Sequence, residues 1–176
     1  MKHLSFFILT LLCLSSAKAQ FPLNSSLPPL TLSGKSGGHL DGSTWKLSDS
    51  IKSNKVTVIF YVDPDVKDLN EEISEVLSKR NFPKEKVQYV AIINMQASWL
   101  PNFAIANALE KKQKKYPNTL YLKDLDKSGV KNWRVPDDEN NIIILSGGDR
   151  ILFSHFGRLP QEKFAEVISL IEQNMN

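Results

Sequence analysis

Residues 56–62 read VTVIFYV, a run of strand-formers with no polar alternation. Such a run predicts a strand buried on both faces, in a sheet covered by helices on each side. It ends in Asp63-Pro64-Asp65, and from about Asp68 the period changes. Leu69, Ile73, Val76 and Leu77 then recur at helical spacing, with Glu71, Glu72, Glu75, Lys79 and Arg80 on the other face. Acidic residues lead and basic ones close, as the helix dipole favours. Asn81-Phe82-Pro83 breaks this helix, and residues 87–95, VQYVAIINM, give a second buried strand. A strand, a helix and a strand joined by a crossover of this length predict a parallel βαβ unit.

The pattern continues through a helix over residues 102–116, with Phe103, Ile105, Ala106 and Leu109 apolar and a charged, lysine-rich end closed by Pro117. The basic run 111–115 reads as a solvated helix end that suits the C-terminal dipole. Residues 120–122 give a short strand, 123–129 a turn, and 130–133 a lead-in to Arg134-Val135-Pro136. Residues 142–145 and 151–156 flank Gly147-Gly148-Asp149 as a β-hairpin. Pro160 then opens a helix whose face carries Phe164, Val167, Ile168 and Ile171. Upstream, residues 20–54 are broken by Pro22, Pro28, Pro29, Gly34, Gly37 and Gly38. A short strand at 30–32 and the Asp41-Gly42 turn fit between the breaks, and Trp45, Leu47 and Ile51 are anchors. This stretch is expected to be an N-terminal extension that packs on the sheet of a single domain covering residues 20–176.

Residues 1–19 combine Lys2 and His3, an apolar stretch over 4–14 and Ser15-Ser16-Ala17-Lys18-Ala19. This is the layout of an export signal, with cleavage expected after Ala19 and the protein placed in the periplasm. The apolar stretch falls short of the roughly twenty residues that span a bilayer, and no later segment reaches that length. The chain carries 22 Lys plus Arg against 19 Asp plus Glu, and its net charge is +3. Two of the lysines lie in the signal, so the remainder is nearly neutral, with basic and acidic residues interleaved. That argues against nucleic acid as a partner. The one cysteine, Cys13, also lies in the signal. Cysteine nucleophiles, structural disulfides and cysteine-ligated metals are therefore excluded from residues 20–176.

The order β-α-β-α-β, then a β-hairpin and a final helix, resembles the thioredoxin fold. The insertion before the hairpin is like that of peroxiredoxins and periplasmic thiol-disulfide oxidoreductases. The resemblance implies an α/β, three-layer α/β/α sandwich with a mixed central sheet. Counted from Phe60, the two reductase cysteine positions fall near Asp65 and Asp68, so the thiol chemistry of those relatives has no residues to carry it. The proline that such enzymes place before the strand at Ile142 is replaced by Asn140 and Asn141. Two segments, KQKKYPNTLYLKDLDKSGVKNW (112–133) and WRVPDDENNIIILSGGDRI (133–151), are similar to the YtfJ family. That family comprises small secreted proteins of Gram-negative bacteria with a thioredoxin-like fold and no assigned biochemical role.

Two kinds of chemistry remain at the end of the central strand. Asp63, Asp65 and Asp68 are oxygen donors of the type that Ca²⁺ or Mg²⁺ takes, but capping a helix start is what Asp near a first turn usually does, and capping is the favoured reading. Asp124, Asp126 and Ser128 open a run that resembles a calcium loop, but Val135 stands where the bidentate Glu belongs, and a tight turn accounts for the same residues. His39 and His155 are far apart, and no Gly-x-Ser-x-Gly surrounds Ser98, Ser146 or Ser154. Trp99 and Trp133 are candidates to line a shallow cleft, though aromatic residues near loop ends are more often packing anchors. The resulting expectation is a noncatalytic binding or accessory protein without a cofactor. It would hold a periplasmic protein or a small ligand on the surface of Asp63, Asp65, Asp68, Trp99, Asn140 and Asn141. The alternative is a cysteine-independent, metal-assisted enzyme working from Asp63, Asp65 and Asp68.

Overall fold

The computed structural model describes residues 20–175, so the expected export signal lies outside the described residues. The apolar run forms β4 (Val56–Val62), every residue of which is buried. Before it come β1 (Thr31–Leu32), β2 (Gly37–His39), β3 (Trp45–Lys46) and the short α1 (Leu47–Ser50). After it come α2 (Glu71–Arg80), β5 (Val87–Asn94), α3 (Asn102–Lys115), β6 (Thr119–Asp124), α4 (Ser128–Trp133), β7 (Asn140–Ser146), β8 (Arg150–Phe156) and α5 (Phe164–Asn174).

The main sheet has the order β2-β6-β5-β4-β7-β8. β4, β5 and β6 run parallel, and β2, β7 and β8 pair antiparallel to their neighbours. β4 sits inside this sheet, which is why its sequence shows no polar alternation. One face carries Val58, Phe60, Ala91 and Ile144 under α2, α3 and α5. The other carries Ile59, Tyr61, Ile92 and Ile143 under α4 and the extension. Strand periodicity alone assigns successive residues of β4 to the two clusters.

The extension contributes side chains to the second cluster. Leu27, Leu30, Leu32, Trp45 and Leu47 are buried in the second cluster, and the indole of Trp45 donates to Ser50 Oγ at 2.9 Å. Its beginning also runs along the start of edge strand β8, where the N–H of Asn24 donates to the Ile151 carbonyl and the N–H of Ile151 to the Ser25 carbonyl. Of the two readings of Trp133, cleft residue and packing anchor, the structure shows the anchor: it is buried, and its indole donates to the Pro28 carbonyl at 2.8 Å.

Three boundaries differ from the sequence reading. The turn after Asp63 is a 3-10 segment over Pro64–Asn70, and the α-helix starts only at Glu71. Residues expected as a turn and a lead-in form α4, which depends on tertiary contacts. Asn140 and Asn141 lie inside β7, paired with Val62 and Tyr61, instead of preceding it.

Candidate functional site

The carboxyl ends of β4 and β5 meet the start of β7 at one end of the sheet. Asp63 directly follows β4. Its Oδ1 accepts the N–H of Asp65 at 2.8 Å, and its own N–H donates to the Glu139 carbonyl at 3.0 Å. With Pro64 at the first position, Asp63 is the cap of the 3-10 segment. Its side chain is 4% exposed. Burial raises the pKa of this carboxyl, opposed by the Asp65 N–H and reinforced by the charges of Asp65, Asp138 and Asp137, and the net direction is upward.

Asp65 is exposed, and its Oδ1 accepts the Ser98 hydroxyl at 2.6 Å. Ser98 Oγ in turn accepts the N–H of Leu100 at 3.1 Å, which fixes the loop between β5 and α3 against the 3-10 segment. That loop and the first turn of α3 present Trp99, 83% exposed, and Phe103, 71% exposed, together with partly exposed Leu100. Asp65 and Trp99 are thus brought together by a serine that carries no nucleophile motif.

Asp68 turns elsewhere. It pairs with Lys67 at 2.8 Å and lines a groove between α2 and α3. Asn140, nearly fully buried, lines the same groove; its Nδ2 donates to the Lys67 carbonyl at 3.4 Å and its Oδ1 has no protein partner. Asn141 faces the opposite side, fully buried, and its Nδ2 donates to the carbonyls of Pro136 and Tyr61 at 3.0 and 3.4 Å. The six candidate residues therefore split. Asp63, Asp65 and Trp99 belong to the strand-end surface, Asp68 and Asn140 to the groove, and Asn141 to the interior.

Two further polar residues shape this end of the sheet without having been singled out in the sequence. Asn70 donates from Nδ2 to the carbonyls of Asn140 and Gly157 at 3.0 and 2.9 Å and accepts the N–H of Leu159 at 2.8 Å. It ties the start of α2 to β7 and to the chain after β8. Its signal was a polar residue three positions before Ile73 on the inward stripe. Asn94, at the end of β5, donates to Asp137 at 2.7 Å, and Asp137 also pairs with Lys127. The Asp137 contact holds Lys127 more firmly protonated than an ordinary lysine.

The second carboxylate group does a different job. Asp124 is completely buried, yet its two oxygens accept four hydrogen bonds. Oδ2 takes the Tyr61 hydroxyl at 2.9 Å and the Gly129 N–H at 2.8 Å, and Oδ1 takes the N–H groups of Ser128 at 2.9 Å and Asp126 at 3.2 Å. Every donor faces the carboxylate as it would face an anion at a helix start, so Asp124 caps α4 and needs no cation there. Asp126 accepts the Ser128 hydroxyl and pairs with Lys131 at 3.6 Å. Burial works against its ionisation, but Ser128 and Lys131 outweigh it and hold the pKa below the usual value. Among the described residues, no three His, Cys, Asp or Glu side chains are grouped to hold a metal ion. His39 and His155 sit in β2 and β8, the opposite edges of the sheet.

The groove has a volume of about 440 Å³. Its floor is the sheet face along β5, with Val87, Tyr89, Ala91 and Ile93 at alternate positions, and its walls are the facing sides of α2 and α3.

The chain matches the model of a family described as bacterial proteins of unknown function, YtfJ_HI0045, over residues 38–174. It is 21% identical to the uncharacterized protein YtfJ of Escherichia coli K12 over 179 residues, which covers 94% of this chain and 96% of that protein. It is 28% identical to an uncharacterized protein of Haemophilus influenzae over 107 residues, 60% of this chain and 58% of that one. Among solved structures, the thioredoxin domain of a thiol-disulfide oxidoreductase from Bacteroides vulgatus superposes with a TM-score of 0.62 at 15% identity, covering 89% of this chain and 100% of that domain. At that identity the likeness shows the fold, which is thioredoxin-like. No helix among the described residues is long and apolar enough to cross a membrane.

Proposed function

Because the chain belongs to the bacterial family of unknown function YtfJ_HI0045, we propose that it is an exported, noncatalytic accessory protein. In this reading a single thioredoxin-like domain docks a protein partner at the carboxyl ends of its central strands. The observation that carries the reading is the aromatic surface formed by Trp99 and Phe103, 83% and 71% exposed, on a loop fixed by the bond between Ser98 and Asp65. Exposed aromatic side chains cost solvation free energy in a lone protein, and they are the usual anchors of interfaces. Exposed Asp65 is tied to the same loop through Ser98, so a partner carrying apolar and basic side chains is the complementary one. The residues that fold relatives use for thiol chemistry are carboxylates here, and the sole cysteine is Cys13. Holding a partner requires neither.

The test is site-directed photo-crosslinking in intact cells, with p-benzoylphenylalanine incorporated at position 99, at position 103 and, as a control, at position 23. Leu23 is 64% exposed but lies in the extension. The expected result is a discrete covalent adduct from positions 99 and 103 and none from 23. Adducts from all three positions alike, or from none, would refute a specific surface.

A further inference from the structure

The groove between α2 and α3 is a separate feature, and its chemistry is unlike that of the strand-end surface. We propose that it binds an elongated apolar molecule with an anionic group at one end and a hydrogen-bond donor at the other, of the class of an ω-hydroxy fatty acid. Four properties of the groove point to such a ligand.

The first is shape. Alternate residues of β5 from Val87 to Ile93 form the floor, so the groove follows the strand for about 20 Å at the usual rise of a β-strand. Its volume of about 440 Å³ lies within the range of small-molecule sites. The second is the floor itself. Phe60 and Val62 from β4 and Tyr121 from β6 flank the β5 residues, so the body of an occupant meets aromatic and aliphatic carbon.

The third property is a pair of buried polar atoms without protein partners, one toward each end. The Tyr89 hydroxyl is one and Asn140 Oδ1 the other. Tyr89 pairs in register with Thr119, at the start of β6, while Asn140 pairs with Val62, at the end of β4. Burial pushes Tyr89 up to about 12, which keeps its hydroxyl a donor at neutral pH. Asn140 Oδ1 can only accept. A buried polar atom left unpaired costs about 1–3 kcal/mol, and a ligand that supplies the complementary group relieves that cost. The asparagine end therefore asks for a donor, and the tyrosine end can give its O–H to an acceptor.

The fourth property is the charge of the rim. At the tyrosine end, Lys84 and Lys112 line the groove and form no ion pair among the described residues, and Lys115 stands beside them. At the asparagine end Lys67 is neutralised by Asp68. Glu71 and Glu75 also line the groove, Glu75 paired with Lys79 and both acting on Lys115, which leaves Lys84 and Lys112 as the positive excess beside the free phenol donor; that charge and that donor together favour a carboxylate. Nothing in this argument uses Trp99 or Phe103, so the groove and the docking surface stand or fall separately.

The test is calorimetric titration of the purified protein, expressed from its full chain, with ω-hydroxydodecanoate, dodecanoate and dodecyltrimethylammonium. The expected result is saturable one-to-one binding of ω-hydroxydodecanoate, weaker binding of dodecanoate and none of the cationic amphiphile. Lys84→Glu combined with Lys112→Glu changes only rim residues and should weaken binding about tenfold or more while leaving the melting temperature in place. Ala91→Leu, which fills the floor, should abolish it. Trp99→Ala with Phe103→Ala should leave it unchanged. Absence of saturable binding at millimolar ω-hydroxydodecanoate, equal binding of the cation, or unaltered affinity in the double lysine variant would each overturn the proposal. Equal affinity for dodecanoate would overturn the role given to Asn140.

Discussion

Replacing Asp124 with Asn changes almost nothing in shape and removes one negative charge from the middle of four donors. With the amide nitrogen at the Oδ2 position the Tyr61 hydroxyl can turn to accept from it, so the Gly129 hydrogen bond is lost and those to Tyr61, Asp126 and Ser128 persist without the charge. A hydrogen bond to a charged group contributes about 1.5–3 kcal/mol net against about 1 kcal/mol for a neutral one, so one lost bond and three weakened ones amount to about 3–6 kcal/mol. The neutral amide recovers part of the desolvation cost of a buried carboxylate, which places the expected loss at the lower end, about 3 kcal/mol. Against a total stability of about 5–15 kcal/mol for a folded domain, that is a large fraction. Urea unfolding followed by circular dichroism should show a lower midpoint with an unchanged slope. Tyr61→Phe removes one donor and leaves three backbone N–H groups on the carboxylate, so it should cost about 1.5 kcal/mol. Calcium should move neither curve. A loss below about 1 kcal/mol in Asp124→Asn would refute the capping account, since that is the worth of one neutral hydrogen bond. A wild-type midpoint that rises with calcium would do the same from the other side.

Three further substitutions probe the neighbouring elements. Gly129→Ala lies inside α4, where alanine ordinarily gains about 1 kcal/mol over glycine. Its Cβ would stand 2.1 Å from Tyr61 Cε2, so a net loss of about 2–3 kcal/mol is expected in the same unfolding assay. Asn70→Ala strands the carbonyls of Asn140 and Gly157 and the N–H of Leu159. It should cost about 3 kcal/mol and speed amide exchange at Leu159, and protection equal to wild type would contradict the clamp. Asp63 has a raised pKa in the folded protein, so its contribution to stability is fully present below the ordinary aspartate value and is lost as pH rises through the raised one. Asp63→Asn keeps a capping side chain without that loss. It should raise the melting temperature at pH 7 and match wild type near about pH 4, whereas a difference independent of pH would refute the assignment.

How far the sequence foretold all this depends on where the information lay. β4, β5, α2 and α5 were legible because one residue's neighbours in the pattern are also its neighbours in the core, as with Ile73 and Leu77. α4 was not, because SGVKNW has weak helix propensity. The helix is set by a carboxylate at the end of the preceding strand and by a glycine that lets it approach Tyr61. Asp124 attracted attention as the opening of a calcium loop, a reading that used the right residue and lacked its donors. The strand position of Asn140 and Asn141 was hidden by their polarity, which local pattern assigns to a loop. The groove was out of reach altogether, since it arises from the spacing between two helices that are distant in sequence. The small Ala91 on a sheet face was its sole local trace.

The polar residues at the end of the central strands look like a site in the sequence because they are dense, and the structure accounts for most of them as fasteners. Asp63 closes a helical turn, Asn70 joins three segments, Asn141 holds the Pro136 carbonyl and Asp137 couples Lys127 to Asn94. A thioredoxin-like sheet places its loops at this end, and each loop start or end has backbone groups that no strand satisfies. Side chains that meet those groups are committed to them. They are poor candidates for chemistry because moving one toward a substrate would strand a buried partner at about 1–3 kcal/mol. What remains uncommitted is apolar or aromatic: Trp99 and Phe103 outside, and the tyrosine-lined floor between α2 and α3. The proposed role in contact and recognition draws on that exposed carbon and on a few unpaired hydrogen-bonding atoms, and makes no use of the carboxylates that hold the framework together.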